Sequence, residues 1–206
     1  MKKITEELSD EEIQRNHEIF QARLALYRNH GLDQEMARAS ILRHIIPSPS
    51  RLLEIGTGRG HLTLMLAGLG FPIVSVDTSA DSLRTARLNA AYYNRQDNIS
   101  FLETDAASLP FEDMGFDVVI SAYTFHHLEK PESVLTEMIR LAQDQILLAD
   151  FNESGFDAVD RIHRLEGRTH TRGKAKLSLA EDLFRQAGFT VTIFEDSWQS
   201  ICSARR

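Results

Sequence analysis

The residues with the clearest chemical meaning are three closely spaced glycines, Gly56, Gly58 and Gly60, and the aspartate Asp77. The glycines directly follow a short, mostly apolar run, residues 52–55, which is typical of a buried parallel strand. Glycine lets the backbone turn sharply where a side chain would obstruct a ligand, and a helix that begins after the turn directs its free N–H groups toward that ligand. Asp77 stands 21 residues after Gly56, close to the offset of roughly 20 residues at which an acidic residue contacts a ribose hydroxyl. The spacing therefore predicts a site for a nucleoside-containing ligand.

The glycine spacing also distinguishes two classes of such ligands. A dinucleotide fingerprint has the pattern G-x-G-x-x-G, and its third glycine would fall at position 61, which is His61. The chain has Glu54-x-Gly56-x-Gly58-x-Gly60 instead, which resembles the first motif of class I S-adenosylmethionine-dependent methyltransferases. The resemblance implies that S-adenosyl-L-methionine is the cofactor and that the turn and the acidic strand end bind it. The implied binding residues are Glu54, Gly56, Thr57, Gly58, Gly60, Asp77 and Thr78.

Two later segments carry the same resemblance, which in total covers residues 51–204. Asp105-Ala106-x-x-Leu-Pro-Phe follows a predicted strand, and in the family this carboxylate accepts a hydrogen bond from the adenine amino group while the next backbone N–H meets the ring. Phe116-Asp-Val-Val-Ile-Ser is a further predicted strand, followed by a loop that ends in His-His-Leu. The resemblance implies that the backbone around Ser121 and Ala122 faces the methionine part of the cofactor.

Candidate catalytic residues follow from their place in the chain. Methyl transfer from a sulfonium is an in-line displacement, so the protein mainly holds donor and acceptor in line. A base is needed only when the acceptor loses a proton, and Tyr123, His126, His127 and His163 are the candidates. The adjacent histidines also suggest a metal site, but neighbouring residues on a helix or strand point in different directions and no second cluster supplies ligands. No metal is expected.

The elements that must position these residues alternate between strand and helix. This alternation predicts an α/β fold with a doubly wound, mostly parallel sheet. Two strands joined by a tight turn near the C-terminus add the antiparallel hairpin that the family shows, which gives seven strands. Helices are predicted from residue 62, from Ser79 or Asp81, from Pro131, and from Ser178, which with Glu181 has the spacing of a capping box.

The segment before the sheet is predicted to form two helices. Ser9 and Glu12 have the spacing of a capping box, and Asp33 is suited to cap the second helix. We expect residues 1–47 to form a helical cap and residues 48–206 to form the catalytic domain. In the resembled family such helices often cover the cofactor, so Tyr27, Arg28 and His30 are either ligand contacts or, alternatively, a packed edge and a solvated helix end.

Residues 151–177 form a longer connection than the usual 2–6 residues or so between a strand and a helix, and we expect them to have their own structure. Phe156, Val159 and Ile162 suggest a short helix. A basic run follows, which is either a solvated mobile loop or, alternatively, a lid or an anion-attracting patch beside the site. The run consists of Arg168, His170, Arg172, Lys174 and Lys176.

Composition limits the partners. The 206 residues are enough for one well-cored domain, and the net charge of −7 argues against broad nucleic-acid binding. The single cysteine, Cys202, excludes an intramolecular disulfide. No apolar run reaches the roughly 18–20 residues of a membrane helix, and the first residues turn acidic where a signal peptide would turn apolar. We therefore expect a cytoplasmic protein without membrane contact. Its oligomeric state, monomer or homodimer, stays open.

Three functions are consistent with these features. The first is methyl transfer to a small-molecule acceptor, which is anionic if the basic run faces the site. The second is methylation of protein or RNA, against which the overall acidity and the lack of an appended recognition domain count. The third is a non-catalytic module that binds adenosylmethionine. A nicotinamide oxidoreductase is disfavoured by His61 and by the later motifs.

Overall fold

The computed structural model describes residues 2–3, 7–169, 173 and 175–206, and within these ranges the strands form one mixed sheet. The strands are β1 Lys2–Lys3, β2 Leu52–Ile55, β3 Ile73–Asp77, β4 Ile99–Glu103, β5 Phe116–Ala122, β6 Ala142–Phe151, β7 Thr190–Glu195 and β8 Gln199–Arg205. Their order across the sheet is β1-β4-β3-β2-β5-β6-β8-β7. Strands β2 to β6 run parallel, whereas β8 is antiparallel to both of its neighbours. The predicted doubly wound sheet and its closing hairpin are confirmed.

Strand β1 is an addition that the sequence analysis did not predict. Its two residues pair antiparallel with β4 at the edge of the sheet. A lysine pair shows no apolar alternation, so it carries no pattern by which a strand would be recognised. The seven predicted strands thus become eight in the described part of the chain.

Successive residues of the central strands face opposite sides and build two cores. Leu53 and Val119 belong to the core that contains Leu135 and Phe184, whereas Leu52 and Val118 belong to the core that contains Leu24 and Leu83 on the other side of the sheet. Both sides of the parallel sheet are therefore buried, as a doubly wound fold requires. The helices are α1 Asp10–Asn29, α2 Gln34–Leu42, α3 His61–Gly68, α4 Ala80–Tyr92, α5 Pro131–Leu141, α6 Glu153–Leu165 and α7 Leu177–Gln186.

The two N-terminal helices begin where the sequence predicts. The Ser9 hydroxyl accepts a hydrogen bond from the Glu12 N–H at 3.3 Å, and the Glu12 carboxylate accepts one from the Ser9 N–H at 3.2 Å. Asp33 accepts hydrogen bonds from the first N–H groups of α2. These reciprocal contacts satisfy donors that a helix leaves unpaired at its start.

Helix α1 makes contacts with other elements at both of its ends. Near its start, the Asn16 side chain donates to Asn89 of α4 at 2.7 Å, and Asn89 in turn donates to the Arg59 carbonyl at 2.9 Å. Near its end, the Tyr27 hydroxyl lies 3.3 Å from His163 Nε2 of α6. Helix α1 is thus tied to the glycine turn and to the segment that follows β6.

The helix predicted after β6 is confirmed as α6, but the capping box predicted at Ser178 is wrong. Helix α7 begins at Leu177, and its N-cap Lys176 makes no side-chain capping bond. Leu177 packs against the core between the sheet and α5, so burying it starts the helix before Ser178. Among the described residues, no helix is both long and apolar enough to cross a membrane.

Candidate cofactor and active site

The glycine turn is held by the neighbouring strand. After β2, the N–H groups of Gly56 and Thr57 both donate to the Val76 carbonyl, at 2.9 and 3.1 Å. Gly56 has φ +85°, and Gly60, the N-cap of α3, has φ +79°. A Cβ on Gly60 would lie 2.9 Å from the Ala86 Cβ, so this glycine also lets α4 approach closely. Glycine is needed at both positions because other residues rarely adopt a left-handed backbone.

Asp77 stands at the carboxyl end of β3, where the sequence places it, and its carboxylate braces the turn. Its Oδ2 accepts a hydrogen bond from the Gly58 N–H at 2.8 Å, and its Oδ1 accepts one from the Ser79 N–H at 2.9 Å. Each carboxylate oxygen can accept more than one hydrogen bond. Asp77 is therefore able to hold the turn and still accept from the hydroxyls of a sugar.

Asp105 follows β4 and is exposed, with its Oδ1 accepting from the Ala107 N–H at 2.9 Å. The structure brings it together with Asp77 around one cavity of about 100 Å³. The cavity is lined by Ile55, Gly56, Val76, Asp77, Thr78, Thr104, Asp105, Ala106, Thr124, Leu128 and Val134. Five predicted cofactor residues are in this set: Gly56, Asp77, Thr78, Asp105 and Ala106.

The chemistry of this cavity fits a nucleoside. Its apolar walls suit a flat ring, and its two carboxylates accept hydrogen bonds from amino and hydroxyl groups. Ligand pockets usually enclose roughly 300–1,000 Å³, so a larger cofactor would also extend over the glycine turn. Thr124 rests against Gly56, in the space that a Cβ there would fill. The sequence analysis did not single out Thr124, because only the approach of the loop after β5 to the turn reveals it.

Glu54 lies beneath the turn rather than in the cavity. Its side chain is buried, and its Oε2 accepts hydrogen bonds from the hydroxyls of Thr63 at 2.5 Å and Ser75 at 2.6 Å. The Ser75 hydroxyl also contacts the Thr57 hydroxyl at 2.6 Å. Burial raises the pKa of Glu54 to about 7, although the two hydroxyls oppose this shift. Glu54 and Thr57 thus form a buried network under the site.

Tyr123 follows Ala122 at the end of β5 with φ +58°, an unusual conformation for a residue with a side chain. Its hydroxyl donates to Gln199 Oε1 at 2.5 Å, and its ring stacks on Phe151 at 4.2 Å. Burial raises the pKa of Tyr123 well above its ordinary value. The phenol therefore stays protonated at neutral pH, and the guanidinium carbon of Arg38 lies 4.9 Å from the centre of the ring.

Ser121 and Ala122 lie beside the turn, because Ser121 is in register with Ile55 of β2. Ser121 is buried, whereas Ala122 is half-buried. Neither lines the small cavity, and both stand at the next strand end along the sheet edge. This edge is where ligands of open α/β sheets bind.

His126 is held by a buried carboxylate. Its Nδ1 lies 2.6 Å from Asp150 Oδ1, and its backbone N–H donates to Asp150 Oδ2 at 2.8 Å. Asp150 comes from the end of β6 and is buried as well. The contact at Nδ1 orients the imidazole, as in an acid–base pair, and the backbone contact holds the residue that carries it. Asp150 is a site residue that the sequence analysis missed, although its place at a strand end was a signal of the same kind as that of Asp77.

His127 is exposed and its ring lies 3.9 Å from that of His126. Both histidines border a larger cavity of about 750 Å³, which is lined by His126, His127, Leu128, Glu129, Pro131, Glu132, Gly173, Ala175, Lys176 and Leu179. Leu128 borders this cavity and the smaller one, so the two are neighbours. In the ranges described, no three metal-binding side chains cluster.

His163 lies apart from the other candidate bases. It contacts Tyr27, whose hydroxyl also accepts from Arg23 at 3.2 Å, at the joint between α1 and α6. Arg28 pairs with Asp33 and Glu35 at the protein surface, and His30 is the C-cap of α1. These contacts match the alternative of a packed edge and a helix end.

Part of the basic run can be placed. Arg168 pairs with Glu166, which also pairs with Arg23 at 2.7 Å, and Lys176 is the N-cap of α7. The remaining members, His170, Arg172 and Lys174, lie outside the described residues.

Comparison with known proteins agrees with this geometry. Residues 53–149 match the sequence model of the protein family described as Methyltransferase domain. A demethylmenaquinone methyltransferase of Thermus thermophilus is 34% identical over 113 residues, which are 54% of this chain and 50% of that protein. A malonyl-(acyl-carrier protein) O-methyltransferase of Methylococcus capsulatus is 26% identical over 155 residues, 72% of this chain and 55% of that protein. This chain spans about half the length of these curated relatives.

Solved structures share the fold. The YcgJ protein of Bacillus subtilis superposes with a TM-score of 0.61 at 23% identity, over 76% of this chain and 69% of that one. The 4+2 cyclase SpnF superposes with a TM-score of 0.67 at 14% identity, over 84% of this chain and 81% of that one. Identities this low show the fold alone, so the family assignment rests on the sequence match together with the glycine turn and the strand-end carboxylates. Residues 53–149 thus resemble a methyltransferase domain, and the family match and the named relatives support a class I, S-adenosylmethionine-dependent methyltransferase.

Proposed function

We propose that this protein transfers a methyl group from S-adenosylmethionine to a small-molecule acceptor. The observation that carries the proposal is the cavity at the glycine turn, where Asp77 and Asp105 meet between apolar walls. Two hydrogen-bond acceptors at neighbouring strand ends suit the ribose and adenine of one nucleoside. The family match over residues 53–149 supports the same cofactor.

In this proposal the protein speeds up the reaction mainly by holding the cofactor and the acceptor in position. When bound, S-adenosylmethionine supplies a methyl group already activated by its sulfonium charge. Asp77 accepts from the ribose hydroxyls, Asp105 accepts from the adenine amino group, and Leu128 and Val134 cover the ring. Helices α1 and α2 act as a cap that excludes water and helps to hold the acceptor in line. Positioning of this kind supplies a large part of the rate of a displacement reaction.

His126 is the proposed base for an acceptor that loses a proton. Asp150 fixes its ring, and the cavity beside it of about 750 Å³ offers room for an acceptor. The Tyr123 hydroxyl is less suited to this role, because it is already committed to Gln199 and its pKa is raised. His127 is the second candidate, since it lines the same cavity and is exposed.

The class of acceptor is indicated by the relatives and by the cavity beside His126. The two relatives named above differ in acceptor, one being a demethylmenaquinone methyltransferase and the other an O-methyltransferase of malonyl-(acyl-carrier protein). A small acceptor agrees with both the acidic chain and the size of the cavity. The basic residue Lys176 lines the larger cavity and favours an anionic acceptor.

A second candidate function is binding of the cofactor without methyl transfer. The fold is similar to that of a protein described as a 4+2 cyclase, so the same fold also serves a protein that is not described as a methyltransferase. This similarity supports the second candidate function. Methylation of protein or RNA is a third candidate. It is less favoured because the net charge of −7 opposes binding to a polyanion.

Calorimetric titration of the purified protein tests the proposal, after any co-purified ligand has been removed. We expect binding of S-adenosylmethionine and S-adenosylhomocysteine at micromolar concentration and no binding of NADH. Transfer of labelled methyl groups to quinones and small carboxylic acids then separates an enzyme from a binding module. Absence of binding to both adenosyl ligands would overturn the proposed function. Binding without transfer to any acceptor class would favour the second candidate.

A further inference from the structure

The loop that carries Asp105 is long and contains no helix or strand. It covers residues 104–115, between the end of β4 and the start of β5. Its first residues, Thr104, Asp105 and Ala106, line the cavity at which the proposed cofactor binds. A loop of this kind keeps a fixed shape only when its groups are bonded to a more rigid element. Here that element is helix α5.

Helix α5 holds both backbone groups of one loop residue, Leu109. The Leu109 N–H donates to Glu137 Oε2 at 2.8 Å, and the Leu109 carbonyl accepts from Arg140 Nη2 at 2.9 Å. The two side chains also bond to each other, because Arg140 Nε donates to Glu137 Oε1 and Arg140 Nη2 donates to Glu137 Oε2, each at 2.8 Å. We call this arrangement the Glu137–Arg140 clamp.

Arg140 makes further contacts along the loop. Its Nη1 donates to the Phe111 carbonyl at 2.7 Å and to Asp113 Oδ1 at 2.8 Å, and its own carbonyl accepts from the Met114 N–H at 2.9 Å. The hydrogen bond from Arg140 lowers the pKa of Glu137, and the bonds to Glu137 and Asp113 raise the pKa of Arg140. Both side chains of the clamp are therefore ionised at neutral pH, and hydrogen bonds between ionised groups are stronger than neutral ones.

The clamp is connected to Asp105 by a short, bonded turn. The Asp105 carboxylate accepts from the Ala107 N–H at 2.9 Å, and the Asp105 carbonyl accepts from the Ser108 N–H at 3.3 Å. Leu109 directly follows this turn, and its side chain is buried in the core. Helix α5 also supplies Val134 to the lining of the cavity. One helix thus sets the position of the Asp105 carboxylate and of an apolar wall of the cavity.

The position of this carboxylate decides which nucleobase it can recognise, because a hydrogen bond weakens steeply when its geometry is lost. We propose that the Glu137–Arg140 clamp positions Asp105 for the nucleobase of the cofactor and thereby makes the site selective for adenine. This inference rests on the proposed function, since it takes an adenosyl cofactor as given. It adds two positioning residues to the site, neither of which lines the cavity.

The test compares the binding of two ligands that differ only in the nucleobase. S-adenosylhomocysteine has an exocyclic amino group on its purine, whereas S-inosylhomocysteine has a carbonyl oxygen at the same position, which cannot donate to a carboxylate. We expect the wild-type protein to prefer the adenosyl ligand. Arg140→Gln should weaken binding of the adenosyl ligand by roughly 10-fold, the lower end for a lost charge-assisted contact, and leave binding of the inosyl ligand within about twofold. Arg140→Lys keeps the charge but loses the guanidinium fork, so it should retain an intermediate preference.

Asp105→Asn tests whether the clamp acts through Asp105. This substitution alone should reduce the preference for the adenosyl ligand. When it is added to Arg140→Gln it should have little further effect, because Asp105 is then already displaced, and residues that act through one contact are not additive. Additive losses in the double variant would overturn the proposal.

Arg185→Gln is the matched control. Arg185 of α7 also pairs with a glutamate of its own helix, Glu181, at 2.9 Å, and it donates to a backbone carbonyl, that of Val191, at 3.1 Å. None of these three residues lines the cavity around Asp105. Arg185→Gln should therefore change neither affinity.

Equal weakening of both ligands by Arg140→Gln would overturn the proposal, because the clamp would then support the loop without selecting the base. An unchanged preference in folded Arg140→Gln, or the absence of a preference in the wild-type protein, would also overturn it. If Arg140→Gln does not fold, Glu137→Gln, which keeps the shape of the side chain, decides by the same comparison. Failure of the wild-type protein to bind either ligand would instead refute the proposed function.

Discussion

Replacing Glu54 with glutamine should change how the stability of the protein depends on pH. The pKa of Glu54 in the folded protein is raised by burial from 4.5 to about 7. The folded state therefore favours the protonated form, and the unfolded chain ionises first as the pH rises. Protonated Glu54 therefore adds to the free energy of unfolding. This contribution is fully present below pH 4.5 and is lost progressively as the pH rises through about 7.

The size of the effect follows from the shift. Each pKa unit corresponds to about 1.4 kcal/mol, so the shift corresponds to about 3 kcal/mol over the whole range and to about 2.5 kcal/mol between pH 5 and pH 8. Glutamine has nearly the same shape, and its Oε1 can accept from the Thr63 and Ser75 hydroxyls that now donate to Glu54. It does not titrate. The wild-type protein should therefore lose about 2.5 kcal/mol relative to Glu54→Gln over this interval.

Urea unfolding at several pH values measures this difference, because the free energy of unfolding is linear in denaturant. Glu137→Gln is the control, because the hydrogen bond from Arg140 lowers the pKa of Glu137. The difference in the free energy of unfolding between this variant and the wild-type protein should therefore change only below about pH 4.5. Parallel curves for the wild-type protein and Glu54→Gln between pH 5 and pH 8 would refute the reasoning. Glu54 would then be ionised in the folded protein across the whole interval.

Two further predictions concern the turn itself. Asp77→Ala removes acceptors for the Gly58 and Ser79 N–H groups and should weaken binding of S-adenosylhomocysteine by roughly 1–3 kcal/mol in calorimetry; an unchanged dissociation constant in a folded variant would remove Asp77 from the site. Gly60→Ala places a Cβ 2.9 Å from the Ala86 Cβ at φ +79° and should lower the free energy of unfolding by roughly 2–4 kcal/mol. Gly58→Ala, with nothing within 4 Å of the added Cβ, should cost only about 1–2 kcal/mol of backbone strain, and equal costs for the two glycine variants would contradict the packing argument.

The sequence was sufficient for the parts of the structure that depend on local pattern. The strand before Gly56, the caps at Ser9 and Asp33 and the strand-end position of Asp77 all follow from residue types within a few positions of each other. The N-cap of α7 was misplaced by two residues, at Ser178 instead of Lys176, because the start of the helix depends on the packing of Leu177, which no capping pattern encodes.

Features that depend on contacts between distant segments could not be predicted in this way. The sequence marks Glu54 as part of a motif but does not show that its carboxylate is enclosed by Ser75 from the next strand and Thr63 from the next helix. The pairing of His126 with Asp150 joins residues 24 positions apart on neighbouring strand ends. The sequence does not indicate that Arg38 lies over the Tyr123 ring, because this contact forms only when α2 packs over the end of β5.

The predictable and unpredictable parts of the site are built in different ways. The end of the site that we propose binds the nucleoside is built from backbone turns and strand ends, which the order of the sheet places together and which tolerate few residue types. The opposite end is built from side chains of α1, α2 and α6, which reach the site only through helix packing. Helices that cap a sheet can change their side chains without disturbing the strand order. We therefore expect the residues near Tyr123 and His126 to determine which acceptor binds. We expect the residues near Asp77 and Asp105 to determine which cofactor binds.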